Sequence, residues 1–318
     1  MGYGHLSIDE RESIMKMVAQ GLSYSQIGER LRRHKGTISR EWRRNVSSTG
    51  EYKAHVAQRY YRRRRAASKT PYRLEEDGKL RRYVRNKLRQ YWSPEQISGR
   101  LHRERKINLS PVTIYSWIRR ERSAGGTLYR YLRQSHRRRR KRRGGEDHRG
   151  QMPDRRMIDQ RPQVVNARQR IGDWESDTVE GVKGRGLIAT HVERKGRYTV
   201  AVKVADKSAD TVSQATLRFM KKLPPQKVKT MTFDNGKEFA GFKELERGLA
   251  MRSYFARPYH SWERGTNENT NGLLRQFFPK GMDFSTIGQS EVDRASKLLN
   301  NRPRKCLNYR TPAEVFWS

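Results

Sequence analysis

The sequence of 318 residues predicts a multidomain protein: an N-terminal all-α half built from helix-turn-helix units, followed by an α/β half built on a mixed sheet. Three observations predict it. The charge is lopsided, because of a formal net +38 the first 150 residues carry +26, from 40 Lys and Arg against 14 Asp and Glu. The segment "SYSQIGERL" (23–31) recurs as "SPEQISGRL" (93–101), with Ser, Gln, Ile, Arg and Leu matching, so the front half holds two related units. From residue 171 the pattern changes to short β-type runs separated by turn residues.

The elements follow in order. "LSIDERESIMKMVAQG" opens with Ser7 and Glu10 in capping-box spacing, sets Ile14, Met17 and Val18 on one face and stops at Gly21. "SYSQIGERL" repeats the start signal with Ser23 and Gln26, and "HKGTISREWRRN" supplies a third helix with Ile38 and Trp42 four apart. Three short helices with tight turns suggest a helix-turn-helix unit. In the second copy Pro94 strengthens the start, and "SPVTIYSWIRRER" echoes Thr37 and Ile38 in Thr113 and Ile114. The recognition helices would place Thr37, Ser39, Arg40 and Arg43 in one major groove and Thr113, Tyr115, Ser116 and Arg119 in another. Either unit could instead be a packing or dimerisation module.

The back half reads as strand "DWESDTVEG", hairpin "GLIATHVERKGRYTVAVKV", helix "SADTVSQATLRFMKKLP" and strand "KVKTMTFDNGKEF". Helix "GFKELERGLA", the short run "MRSYFARPY" and helix "GTNENTNGLLRQFF" follow. This is a mixed sheet with covering helices, an α/β or α+β layer. The expected organisation is a first helix-turn-helix domain at 1–50, a basic linker at 51–71, a second helix-turn-helix domain at 72–132, a basic linker at 133–165 and the α/β domain at 166–318. The first linker, with "AQRYYRRRRAASK", interleaves aromatics and arginines, and the second, with "HRRRRKRRGGEDHRG", has no apolar periodicity.

A pI near 10.9 makes nucleic acid the leading partner, through a salt-dependent attraction to phosphate backbones. The single cysteine, Cys306, excludes an internal disulfide and a multi-cysteine zinc site, and fits a reducing cytoplasm. No apolar run approaches the length of a membrane span and the amino terminus is not signal-like, so the expected location is cytoplasmic.

Against this basic background "IGDWESDTVEG" gathers Asp173, Glu175, Asp177 and Glu180. Asp177 falls on the first strand, Asp234 just after a later strand, and Glu268 near the start of the helix after the last strand. Carboxylates are suitable ligands for Mg²⁺ or Mn²⁺, and two such ions can clamp the attacking and leaving oxygens of an in-line phosphoryl displacement. Taken singly, Asp234 in "DNG" reads as a turn residue and Glu268 as a first-turn helix acid. Strand alternation puts Asp173, Glu175 and Asp177 on one side, so periodicity does not choose among them.

"DWESDTVEG", "TFDNGKEF" and "SWERGTNENTNGLLRQFFPKGMDF", closed by "LNNRPRKCLNYRTPAEVF", resemble the DDE transposases of bacterial insertion elements, specifically the insertion sequence 30 family. The resemblance covers about residue 155 to the end, agrees with paired helix-turn-helix units in front, and implies a ribonuclease H-like, integrase-type core. The 33 residues between Asp234 and Glu268 match that family's interval. It selects Asp177, Asp234 and Glu268 as catalytic, metal-binding acids holding two Mg²⁺ or Mn²⁺ ions. Asp173 stands where relatives more often have His and is not expected to be catalytic; Glu175 belongs to the motif with support of its neighbours as the only role in view. Arg275, two turns after Glu268, and Arg264 are candidates for holding DNA phosphates.

The implied function is a transposase that binds the terminal inverted repeats of its element, cleaves the element ends and joins the 3′-hydroxyl to target DNA. The implied partners are double-stranded DNA and further copies of the chain, in a dimer or higher assembly on the bacterial nucleoid. A sequence-specific DNA-binding regulator and a nuclease that cuts without joining are the alternatives.

Overall fold

The computed structural model describes residues 4–68, 72–133, 154–257 and 265–318. The chain divides into two compact units, 1–77 and 78–318.

In the first unit α1 (Ile8–Ala19), α2 (Tyr24–Leu31) and α3 (Lys35–Asn45) form the expected trihelical module. Both capping boxes, Ser7 with Glu10 and Ser23 with Gln26, are made. Ile14, Ile27 and Ile38 meet in a core that excludes water. The segment expected as a linker at 51–71 is instead largely helix α4 (Ala54–Ala67), which belongs to this unit. Tyr52, Ala54 and Ala57 are buried, and Trp42 stacks on Tyr52 at 4.9 Å. The apolar stripe of α4 is made of small alanines between arginines, so it has little hydrophobic contrast in the sequence. A buried ion pair sets this packing: Arg11 Nε donates to Glu41 Oε1 at 2.8 Å and Nη1 donates to Gln58 Oε1 of α4 at 2.6 Å. A single turn, α5 (Arg73–Glu76), follows.

The second unit opens with α6 (Gly78–Arg89), α7 (Pro94–Arg105) and α8 (Pro111–Ser123). Leu80, Val84 and Leu88 line one face of α6 and are buried, as are Ile97, Leu101, Ile114, Trp117 and Ile118. This module is docked on the α/β core. Arg100 forms a two-pronged pair with Glu314, Arg100 Nη1 donates to the Tyr309 carbonyl at 2.9 Å, and Tyr91 meets Phe277 edge-on at 4.9 Å. At Gly99 any side chain would collide with the Tyr309 ring.

The expected second linker is shorter than 133–165. Residues 134–153 lie outside the described residues, but from 154 the chain belongs to the core: Met157 bridges Phe255 and Ile158 is buried. A short turn, α9 (Gln163–Asn166), leads to β1 (Asp173–Glu180), β2 (Leu187–Glu193) and β3 (Thr199–Val204), an antiparallel meander. Helix α10 (Ala209–Met220) crosses to β4 (Thr230–Phe233), and α11 (Phe242–Leu249) to β5 (Arg252–Phe255), both parallel to β1. The five strands run in the order β3-β2-β1-β4-β5, the mixed sheet of a ribonuclease H-like core. Trp174, Leu187 and Ala189 pack towards α10 and α11, while Val179, Ile188 and Ala201 face α12 (Gly265–Leu274) and α13 (Gln289–Asn300). The terminal α14 (Pro312–Trp317) brings Phe316 into the first of these layers.

Two outcomes test this packing. Arg11→Ala leaves Glu41 buried without its cation and should cost about 3–5 kcal/mol in urea unfolding of the full chain. His191, buried on β2 between Ser176 and Thr216, is pushed down to about 4 by burial. Its unfolded value is higher, near 6.5, so the stabilisation is fully present above pH 6.5 and is lost as pH falls towards 4. Unfolding measured across that window should weaken by about 2–3 kcal/mol, and His191→Asn should remove its share of the slope.

Candidate active site

Strand alternation turns Asp173, Glu175 and Asp177 of β1 towards the α12 side of the sheet. Their surroundings then separate them. Asp173 is buried and held by Arg170 at 3.0 Å and by the Thr230 hydroxyl at 2.9 Å, so its charge is already matched inside the fold. Glu175 is fully buried: its Oε2 accepts the Asn267 backbone N–H at 3.0 Å, in the first turn of α12, and Arg194 Nε stands 3.1 Å from Oε1. That second approach is an ion pair without hydrogen-bond alignment. Only Asp177 reaches an open cleft.

The cleft has a volume of about 760 Å³, and Asp177 and Asp234 line it together with Glu180, Lys207, Glu238 and Arg275. Asp177 Oδ2 accepts from Asn271 Nδ2 of α12 at 2.9 Å and Oδ1 from the Thr178 N–H at 2.9 Å. Asp234 follows β4, where its Oδ1 accepts the Gly236 N–H at 2.9 Å, the side-chain turn expected of "DNG". A Cβ at Gly236 would meet the Glu238 carboxylate and lie 2.9 Å from Asp234 Oδ1, so a larger residue there would displace these two side chains. Asp177 and Asp234 thus face one cleft with Glu180 and Glu238 beside them, the oxygen-donor chemistry of a hard divalent cation.

Cations edge the same cleft. Lys207 Nζ lies 3.2 Å from Glu180 and 3.4 Å from Glu238; burial would lower its pKa, but these two carboxylates hold it above the usual lysine range. Arg275 donates to the Glu180 carbonyl at 2.6 Å, and burial, partly offset by Glu180, lowers its pKa. The expected Arg275 is therefore at the cleft, whereas Arg264 lies outside the described residues.

Glu268 is on α12 but exposed, and it does not line the cleft. Among the described residues no group of three His, Cys, Asp or Glu is arranged to hold a metal ion. The helix meets the sheet through asparagines instead: Asn271 touches Asp177 and Asn267 touches Glu175, and the Thr190 hydroxyl of β2 lies 2.8 Å from Asn271 Oδ1 and 3.2 Å from Asn267 Oδ1. The repeated Asn in "NENTNG", four residues apart and so on one helix face, was the sequence signal for this contact. Glu238 and Lys207 carried no comparable signal.

The expected DNA-contacting residues fall on α3 and α8. Thr37 and Arg40 line a groove of the first unit with Arg44, Arg64 and Arg65; Arg43 is exposed and Ser39 half-buried. On α8, Tyr115 and Arg119 are exposed, while Thr113 and Ser116 are half-buried.

With this geometry in place, comparison with known proteins is specific. A helix-turn-helix domain family matches residues 3–45, and the integrase core domain family matches residues 167–261. The transposase for insertion sequence element IS4351 of Bacteroides fragilis is 39% identical, over 98% of this chain and 95% of its own. The transposase for insertion sequence element IS1086 of Cupriavidus metallidurans is 38% identical over 99% and 94%. Transposase InsI for insertion sequence element IS30A of Escherichia coli K12 is 38% identical over 98% and 83%.

Glu175→Ala should separate positioning from metal binding. It strands Arg194 and frees the first turn of α12, with an expected loss of about 3–5 kcal/mol of stability, and Glu175→Leu combined with Arg194→Met should recover most of it in urea unfolding.

Proposed function

The chain belongs to the insertion sequence 30 family of transposases, and from that premise we propose that it cleaves the ends of its own element and joins the freed 3′-hydroxyls to target DNA. The observation that carries this reading is the convergence of Asp177 and Asp234 on one cleft edged by Arg275. Integrase core enzymes use divalent metal ions, and Asp177, Asp234 and Glu268 are the residues we assign to hold two Mg²⁺ or Mn²⁺ ions here. Glu268 is three residues from Asn271, hence on the same face of α12 as the side chain that touches Asp177. That placement supports it as the third acid, drawn to the cleft when metal and DNA neutralise the acids around it. The ions would supply charge neutralisation at the reacting phosphate and lower the pKa of the attacking water or hydroxyl.

The residues of the chain itself hold the DNA. Arg275 and Arg264 are assigned to phosphates next to the scissile bond. Arg40 and Arg43 with Thr37 and Ser39, and Arg119 with Thr113, Tyr115 and Ser116, are assigned to the terminal inverted repeats, with α4 as part of the first reading domain rather than a tether. Joining two ends requires at least two copies of the chain on DNA, in the nucleoid. No helix among the described residues is long and apolar enough to cross a membrane.

The test is a labelled duplex carrying the terminal repeat, incubated with Mg²⁺, Mn²⁺ or Ca²⁺ and with Asp177→Asn, Asp234→Asn or Glu268→Gln. Each variant should lose at least about 10²-fold in cleavage and joining while retaining DNA binding. Cutting without joining by the unmodified protein would identify a nuclease, and binding without cutting a regulator.

A further inference from the structure

The face of α12 that turns away from the cleft borders a second cavity, of about 240 Å³, lined by Arg168, Arg197, Arg304, Thr266, Thr270 and Cys306. Its charge is unbalanced. Arg197 and Arg168 both donate to one neutral acceptor, the Thr266 hydroxyl, at 2.6 and 3.2 Å. Arg304 is only 9% exposed, reaches the Leu299 carbonyl at 3.4 Å through Nη2, and leaves Nε without a hydrogen-bond partner. Behind them Arg194 is buried with Nη1 likewise unpartnered. The carboxylates that offset this group are Glu175, beside Arg168 and Arg194, and Asp173, beside Arg194; Glu175 is already engaged with Arg194 and the Asn267 N–H, and Asp173 with Arg170 and the Thr230 hydroxyl.

Burial and then the neighbouring Arg197 push Arg168 below the usual arginine range, and burial does the same to Arg304, to about 10. Arg168 and Arg197 also hold left-handed backbone, at φ 54° and 61°, which is uncommon outside glycine. Arg168 is exposed and Arg197 half-buried, but the idle donors of Arg304 and Arg194 are buried, which is costly unless an anion answers them, and the first turn of α12 adds its own partial positive charge. The volume corresponds to roughly eight waters, enough for one phosphate group and its shell.

We infer that this cavity is a phosphate site, in which Arg168, Arg197, Arg304 and the Thr266 hydroxyl close around one phosphate group, carried by a DNA strand or free in solution. Guanidinium forks match phosphate oxygens two at a time, which a lysine cluster would not do. The site lies across α12 from the acids, so occupancy would brace the helix that carries Glu268 and Asn271. It does not rest on the catalytic reading, since neither metal nor strand cleavage enters it.

Cys306 lines the cavity, is exposed, and is the only thiol in the chain, so its alkylation reports on the site directly. The metal-free full chain is treated with iodoacetamide at constant ionic strength against rising inorganic phosphate, and separately against duplex DNA. Phosphate at ten times its dissociation constant should slow alkylation about tenfold. Protection should persist in Arg218→Gln, which removes a charge on α10, and vanish in Arg168→Gln combined with Arg197→Gln; Arg197→Lys alone should weaken it. Protection by DNA that disappears in the double variant assigns the phosphate to a nucleic-acid strand, and protection by inorganic phosphate alone assigns it to the free ion. No protection of the unmodified protein by either, or protection that survives in the double variant, overturns the proposal.

Discussion

Glu175 is a carboxylate buried without solvent in a chain of net charge +38, and the arrangement of the catalytic half depends on how that charge is satisfied. A buried charge is tolerable only when it is paired and hydrogen-bonded. Here the partners are Arg194, at the end of β2, and the first-turn N–H of Asn267. The second contact determines where α12 begins relative to β1. Once that end is pinned, helical periodicity places Asn271 one turn on against Asp177, and Arg275 a further turn on against the Glu180 carbonyl. The same rotation turns Thr266 and Thr270 towards the arginine-lined cavity.

Charge is organised on two scales. Over the whole chain the excess of Lys and Arg draws in polyanions through a long-ranged, salt-dependent field. Within the cleft, Asp177, Asp234, Glu180 and Glu238 are interleaved with Lys207, Lys237, Arg275 and Lys280, so acids and cations alternate along the same wall.

The two helix-turn-helix copies share their capping boxes and their left-handed C-caps at Arg32 and Lys106, yet they are used differently. Arg30 of the first copy is exposed, whereas Arg100, its counterpart in the repeat, is committed to Glu314 and the Tyr309 carbonyl. The terminal stretch "NNRPRKCLNYRTPAEVF" therefore has a physical role. It supplies the surface on which α7 sits, and Arg304 and Cys306 for the cavity behind α12.

Local patterns made the helices, the strands and their order legible before any coordinates, because capping boxes, turn glycines and hydrophobic period are written within a few residues of the elements they specify. The same holds for the nucleic-acid partner, which follows from net charge, and for the pairing of Asp177 with Asp234 once family resemblance singled out the first. The integral helix α4 was hidden because its buried stripe is alanine, and the core's start at 154 because its attachments run to residues far along the chain, Arg156 to Glu246, Arg161 to Thr232 and Met157 to Phe255. What the tertiary structure alone decided is the environment of each acid: Asp173 neutralised by Arg170, Glu175 buried under α12, Asp177 open to the cleft, Glu268 outside it. These four differ in partners that lie up to about ninety residues away in the chain, and the energy of a charge depends on its surroundings in space, which no local spacing records.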